Sequence, residues 1–359
     1  MAITRIGNPA IADQRGVNFR NIIINGGMDV AQRGTTITSP VAGAFLLDRF
    51  KYNENFGATC TITQSSDVPS SVGFINSMKI DITTSATPTA AEEFKIDYNV
   101  EGQHFGYIGY GTSAAKSLTL SFWVKSNVTG TYRVNFLNLN GTGNRIIGGT
   151  YTINSSSTWE KKTITIPGDT AQATYLTNAA GFRVEFYLAS GPDRTSGSLP
   201  TSWIAYDATR RASGQGVNLA DSTSNEWYIT GIQLEAGQTA SEFEFLPTDV
   251  NEQRCERYYE NSFPLGNYPS SYTGNNAYHT TAFPDGNAPG TYFRTHKRAA
   301  ATITLRPQNS TTTGQVGSAG TDRSASAINT NSKQVSYISI TSGTGNGYVR
   351  YNYEADAEL

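Results

Sequence analysis

The chain has 359 residues, 16% of them charged, with a formal net charge of −2. That length can bury a full core and favours two domains over one. The near-neutral balance excludes a duplex-binding surface, which needs clustered Lys and Arg against phosphate. A composition of 35 Gly, 20 Tyr and only 3 Met, with Ser, Thr and Asn filling the gaps, is that of an all-β protein with short strands and many turns.

Residues 1–20 are turn-rich and lack a period, so they are expected to form an extended arm docked on another chain. The start Met1-Ala-Ile-Thr-Arg5 holds no apolar stretch of secretory length, and no window reads as a membrane span. Asn21–Val30 predicts a strand, an Asn-Gly turn and a second strand. Strand patterns follow near 58–64, 76–83 and 93–100. The alternation is clearest at Leu118, Leu120, Phe122 and Val124, and again at Tyr132, Val134 and Phe136. It recurs at Ile164 with Ile166, and at Phe182, Val184, Phe186 and Leu188. Trp227–Gly237 reads as the closing strand: Tyr228, Thr230, Ile232 and Leu234 on one face, Trp227, Ile229, Gly231 and Gln233 on the other. Strands at this spacing, joined by Gly, Asn and Ser turns, predict a jelly-roll β-sandwich over 21–248.

A short helical connection is expected over 249–260, capped by Thr248 or Asp249. A smaller C-terminal β domain, 261–359, has strands at Tyr292-Phe293, Thr302–Leu305, Val335–Ile340 and Tyr348–Tyr353. Asn346-Gly347 signals a hairpin before its last strand, and the small polar run 308–332 suits an exposed loop or a dependent strand pair.

Catalytic motifs are missing. His104, His279 and His296 are scattered, no Cys-x-x-Cys occurs, and no nucleophile elbow or phosphate-binding glycine loop is present. Cys60 and Cys255 read as free buried thiols. No catalytic residue, metal ligand or cofactor is assigned, and any calcium site would have to be discontinuous.

The positions opposite the apolar alternation carry Trp123, Arg133, Asn135, Arg183, Glu185, Tyr187, Trp227 and Gln233. Rings beside planar donors and acceptors are what a saccharide requires: flat surfaces for its apolar faces and partners for its hydroxyls. The other reading is that these residues are covered by loops or a second subunit. The candidate glycan-binding residues are Trp123, Tyr187, Trp203, Trp227 and Gln233, with Trp203 at a sandwich edge; Trp159 is expected to pack.

Several ordered motifs carry a resemblance: Asn21–Gly34 (NIIINGGMDVAQRG), Leu47–Phe50 (LDRF), Ser117–Lys125 (SLTLSFWVK), Thr158–Lys161 (TWEK) and Ile232–Gly237 (IQLEAG). Phe243–Phe245, Cys255–Glu260 (CERYYE) and the terminus Tyr353–Leu359 (YEADAEL) continue the set. Together they resemble a module of bacteriophage tail fibres and other virion appendages, and the middle portion is similar to carbohydrate-binding jelly rolls. The resemblance implies a virion structural protein, often trimeric, that displays a β domain to a host-surface glycan and is not an enzyme. A virion decoration protein of purely structural role and a surface-glycan depolymerase are the alternatives. Relatives carry this module behind a long shaft or anchor, whereas only about 20 residues precede it here. The arm at 1–20 is therefore the expected contact with other virion proteins.

Overall fold

The computed structural model describes residues 19–359 except 142, 265, 273, 275–276, 282–286, 309, 319–320 and 341–347. The expected arm lies outside the described residues apart from Phe19 and Arg20, as does the Asn346-Gly347 turn.

Twelve strands build the first unit: β1 (Thr36–Thr38), β2 (Phe50–Glu54), β3 (Thr59–Ser65), β4 (Ser77–Thr84), β5 (Glu93–Glu101), β6 (Leu118–Ser126), β7 (Gly130–Asn138), β8 (Arg145–Ile153), β9 (Glu160–Ile166), β10 (Ala180–Ser190), β11 (Ile204–Ala205) and β12 (Glu226–Ala236). They form two antiparallel sheets, ordered β1-β3-β4-β12-β6-β9 and β11-β8-β7-β10-β5-β2. The chain passes repeatedly from one sheet to the other, which makes the unit a jelly-roll sandwich. Period-two alternation gives each strand one apolar face, and the two apolar faces meet. Leu118, Leu120, Phe122 and Val124 from the first sheet join Val134, Phe136, Val184 and Phe186 from the second in one cluster. Strand β8 escaped the sequence reading, because Gly148 and Gly149 interrupt its alternation.

Two expectations are corrected. Strand β12 does not keep one alternation: its register against β6 slips between Thr230 and Gln233, and Gly231 sits at φ 63°. This bulge exchanges the faces, so Trp227 and Ile229 point inward before it and Ile232 and Leu234 after it. A Cβ on Gly231 would lie 2.5 Å from the Phe74 ring, so the position tolerates neither another side chain nor another backbone region.

Asn21–Val30, expected as a hairpin, is instead a buried turn closing one end of the sandwich. Asn21 Nδ2 donates to Ile232 O at 3.0 Å, and Asn21 Oδ1 accepts from Leu234 N at 3.0 Å. The turn thereby satisfies backbone groups that the bulge removes from the ladder. Asn25, at φ 62°, holds the far side by donating to Val30 O at 2.9 Å and accepting from Val30 N at 2.9 Å.

The helix Thr248–Glu256 follows with Pro247 at its N-cap, where neither Thr248 nor Asp249 caps. An eight-stranded antiparallel sheet comes next: β13 (Tyr259–Asn261), β14 (Tyr278–Thr281), β15 (Asn287–Tyr292), β16 (Thr302–Pro307), β17 (Gln315–Ser318), β18 (Thr321–Ile328), β19 (Gln334–Ile340) and β20 (Tyr348–Asp356). Strands β17 and β18 supply the strand pair within the small polar run. This sheet packs its own apolar cluster, including Leu305, Val316, Ile338, Val349 and Tyr353. The chain end returns to the sandwich. The Arg49 guanidinium pairs with Glu358 and donates to Asn99 O at 2.6 Å, while Arg33 pairs with Asp48 and Asp356, each at 3.1 Å. Arg49 also stacks on Tyr258, 3.4 Å from its ring centroid, and Cys60 and Cys255 are free and buried. No helix among the described residues is long and apolar enough to cross a membrane.

Candidate functional site

Strands β2, β5, β10 and β7 lie side by side in the second sheet and present polar side chains outward. Register places Arg183 opposite Asn99, Glu185 opposite Asp97 and Tyr187 opposite Lys95; on the flanks Lys51 faces Asp97 and Asn135 faces Glu185. On β5 the polar residues Lys95, Asp97 and Asn99 alternate with Phe94, Ile96, Tyr98 and Val100, which enter the core.

A charge network spans this face. Lys95 Nζ lies 2.7 Å from Glu185 Oε1, 3.1 Å from Glu93 Oε1 and 3.6 Å from Asp97 Oδ1. Arg211, from the segment after β10, reaches Glu185 at 3.0 Å and Glu93 at 3.3 Å. Asn135 Nδ2 donates to Glu185 Oε2 at 2.8 Å, and Arg183 Nε donates to Asn99 Oδ1 at 2.7 Å. Burial opposes ionisation of Glu185, but Lys95, Arg211 and Arg183 outweigh it and hold the carboxyl well below the usual range. Asp97 behaves in the opposite way: burial dominates, Lys95 opposes it only in part, and the carboxyl is pushed up to about 6. Burial likewise lowers Arg133 to about 10, with Tyr187 and Glu185 opposing. Gly148 makes room for Arg133, since a Cβ there would coincide with the guanidinium at 1.7 Å.

The face divides into covered and open parts. Over β7, Gln215 Oε1 accepts from Arg133 N at 2.7 Å, and Arg133 Nε donates to Arg211 O at 3.3 Å. Over β2, β5 and β10 an open cleft of about 300 Å³ remains, lined by Lys51, Asn53, Glu93, Lys95, Asp97 and Arg183 among others. Asn53 Nδ2 donates to Asp97 Oδ2 at 2.6 Å, whereas Asp97 Oδ1 is buried without a hydrogen-bond partner. A buried acceptor left in this state is costly unless something supplies a donor. Three cations (Lys51, Lys95, Arg183) face three carboxylates (Glu54, Glu93, Asp97) in the lining, so the formal charge cancels. Fixed donors and acceptors of both kinds suit a neutral polyhydroxyl ligand, whose hydroxyls donate and accept at once.

The candidate residues from the sequence do not converge. Trp227 is wholly buried between the sheets, its indole N–H donating to Tyr151 Oη at 3.2 Å. Trp203 closes the sandwich beside Tyr110 and Phe182 and donates to Pro167 O at 2.7 Å. Gln233, turned outward by the bulge, is buried under the segment that follows β12, where it accepts from Glu244 N at 2.8 Å and donates to Ser241 Oγ at 3.0 Å. None of the three can meet a glycan. Tyr187 does lie on the polar face, but beneath it: wholly buried, it donates to Glu93 and Glu185 at 3.3 Å, so it positions the network. Trp123 is half-buried on the outer face of the other sheet, away from the cleft, between Thr230 and Lys161 in register. Trp159, expected to pack, is half-buried on that face beside Tyr228 at 6.1 Å. Arg183, Glu185, Asn135 and Arg133 were singled out as the polar face, and the fold does bring them together. Asp97, Lys95, Asn53 and Lys51 were missed, although the polar positions Glu93, Lys95, Asp97 and Asn99 at every second residue of β5 carried the signal.

No known protein family matches the chain, and no curated relative matches it. Solved structures with a similar arrangement include the enzymatically active domain of bacteriophage CBA120 tailspike protein 4, at 14% identity and TM-score 0.34, covering 60% of this chain and 21% of that one. A family 11 carbohydrate-binding module from Clostridium thermocellum, in complex with a β-1,3-1,4-mixed-linked tetrasaccharide, shows 16% identity and TM-score 0.28 over 57% of this chain and 98% of that one. TmCBM61 in complex with β-1,4-galactotriose shows 11% identity and TM-score 0.30 over 60% of this chain and 99% of that one. The order of strands in the two sheets by itself defines the jelly roll.

Proposed function

We propose that this chain is a non-catalytic virion structural protein, a tail fibre or appendage component, that binds a host-surface glycan through the cleft over β2, β5 and β10. The observation that carries the binding reading is the charge-balanced lining of this open cleft, where Lys51, Lys95 and Arg183 stand among Glu54, Glu93, Asp97 and the Asn53 amide. A sugar's hydroxyls can donate to these carboxylates and accept from these cations and amides at once, which is the pairing a charge-balanced cleft offers. The virion reading is supported by the order of the motifs from Asn21 to Leu359. In this reading the segment 1–20 docks on other virion proteins and the assembly is a homotrimer.

The test is binding of the purified chain to surface polysaccharide isolated from the host bacterium, by calorimetry. Wild type should bind, and Asp97→Ala and Asn53→Ala should each weaken binding about tenfold or more, the worth of one buried hydrogen bond to a charged group. Wild type that ignores the polysaccharide would leave the structural decoration role. Release of reducing sugar during the assay would make the protein a depolymerase.

A further inference from the structure

Ala357–Leu359 leave β20 of the carboxy-terminal sheet and lie as a strap against the sandwich. Backbone bonds tie the strap down: Ala357 N donates to Tyr258 O at 2.7 Å, Arg298 Nε donates to Ala357 O at 2.9 Å, and Arg298 Nη2 donates to Glu358 O at 3.0 Å. The Glu358 carboxyl is buried against Arg49 and Arg33. The Leu359 side chain packs on the small apolar cluster of Ile24, Cys255 and Tyr258.

The strap reaches Asn99, which lines the cleft over β2, β5 and β10. Asn99 Nδ2 donates to Leu359 O at 2.9 Å, while Asn99 Oδ1 accepts from Arg183 Nε at 2.7 Å. The Asn99 main chain is held as well, its carbonyl accepting from Arg49 Nη2 at 2.6 Å. A guanidinium only donates and a carbonyl only accepts, so an amide between them makes both bonds in one orientation alone. Leu359 O thereby selects the orientation that turns Oδ1 toward Arg183. Arg183 has little else to hold it: its side chain is 32% exposed, and its ion pair with Glu185 is long, at 3.8 Å. An arginine left free samples many rotamers, and ordering it on binding costs affinity.

We infer that the strap and Asn99 are positioning elements for this cleft. The seated strap fixes the Asn99 amide, the amide fixes Arg183, and Arg183 presents its remaining N–H groups to the ligand in one geometry. The inference rests on the glycan reading of the cleft and adds a link between that cleft and the carboxy-terminal sheet. Coupling between two equilibria is reciprocal, so a glycan held by Arg183 also tightens the carboxy-terminal sheet on the sandwich.

The experiment is NMR on the full chain with isotope-labelled arginine, following solvent exchange of the Arg183 Nε–H, assigned by its loss in Arg183→Lys. Calorimetry against the host polysaccharide accompanies it. Deleting Glu358 and Leu359, neither of which lines the cleft, should speed that exchange about tenfold and weaken glycan binding about three- to tenfold, the cost of ordering one long side chain. Arg298→Ala removes two bonds to the strap and leaves the strap present, so it should move both readings the same way even if the deletion unfolds the sheet. In an Asn99→Asp background the carboxylate accepts from Arg183 whichever way it turns. There the deletion should change neither reading, whereas a general loss of stability would act in both backgrounds. Arg183 exchange indifferent to both strap variants, glycan affinity unchanged when exchange rises, or equal effects in both backgrounds would each overturn the inference. Exchange that answers to the strap in a protein that ignores the polysaccharide would strike the glycan reading alone and support the strap's hold on Arg183.

Discussion

Asp97→Asn tests the cleft most directly, because it should make the protein more stable and less able to bind. The Asp97 carboxyl is pushed up to about 6 by burial, against an unfolded value near 3.9. Below about pH 4 the group is protonated in both states and contributes no pH dependence. Between there and pH 6 the folded protein keeps a proton that the unfolded chain has released, so stability from this group falls as pH rises. By pH 7 the loss is about 3 kcal/mol, two units at about 1.4 kcal/mol each. The attraction of Lys95, 3.6 Å away, is already contained in that figure. Asparagine fixes the neutral form and keeps an acceptor for Asn53 Nδ2. Urea denaturation of wild type and variant across pH 4 to 7.5 should therefore show equal stability at the acid end and an advantage of about 2–3 kcal/mol for the variant at pH 7, with glycan binding reduced at that pH. A difference that stays flat with pH, or a variant less stable at pH 7, would refute the assignment of Asp97 as a carboxylate whose burial outweighs its pairing with Lys95. Retained binding would refute its role in the cleft.

Three further substitutions probe the frame. Trp227→Ala should cost about 3–5 kcal/mol in chemical denaturation, since the side chain is fully buried between the sheets; a loss of glycan affinity without destabilisation would return it to the surface. Gly231→Ala should cost about 1–3 kcal/mol, for a left-handed φ of 63° and a Cβ 2.5 Å from Phe74; unchanged melting would mean that β12 is not bulged there. Arg49→Ala leaves the buried Glu358 carboxylate only Arg33, at 3.5 Å, and removes the stack on Tyr258; it should cost about 3 kcal/mol, seen also as faster proteolytic cleavage between the sandwich and the carboxy-terminal sheet.

Much of the fold was legible in the chain because its cause is local. The alternations at Leu118–Val124, Tyr132–Phe136 and Phe182–Leu188 need only the two-residue period of an extended backbone, and each of these segments is a strand with the anticipated face inward. The same logic misled at Trp227–Leu234. There one glycine in the left-handed region exchanges the faces, and whether a glycine bulges depends on what packs against it, here Phe74 from a loop more than 150 residues earlier. The Asn25-Gly26 turn misled for a related reason: Asn21 bonds to the bulged strand, while Asn25 bonds to Val30 and Asp48 O instead of closing a two-stranded hairpin.

The sites were hidden by topology. An outward-facing ring such as Trp123 and a buried one such as Trp227 have similar sequence surroundings, and only the segments laid over each sheet separate them. Polar residues at every second position of β5 show that one face of that strand avoids the core. They do not show that β2 and β10 flank it, that Glu185 stands opposite Asp97, or that the cover stops at β7. Alternation fixes the direction of a side chain because it is a property of one strand's backbone. A site depends on which strands are neighbours and what covers them, and those are settled by contacts between segments far apart in the chain.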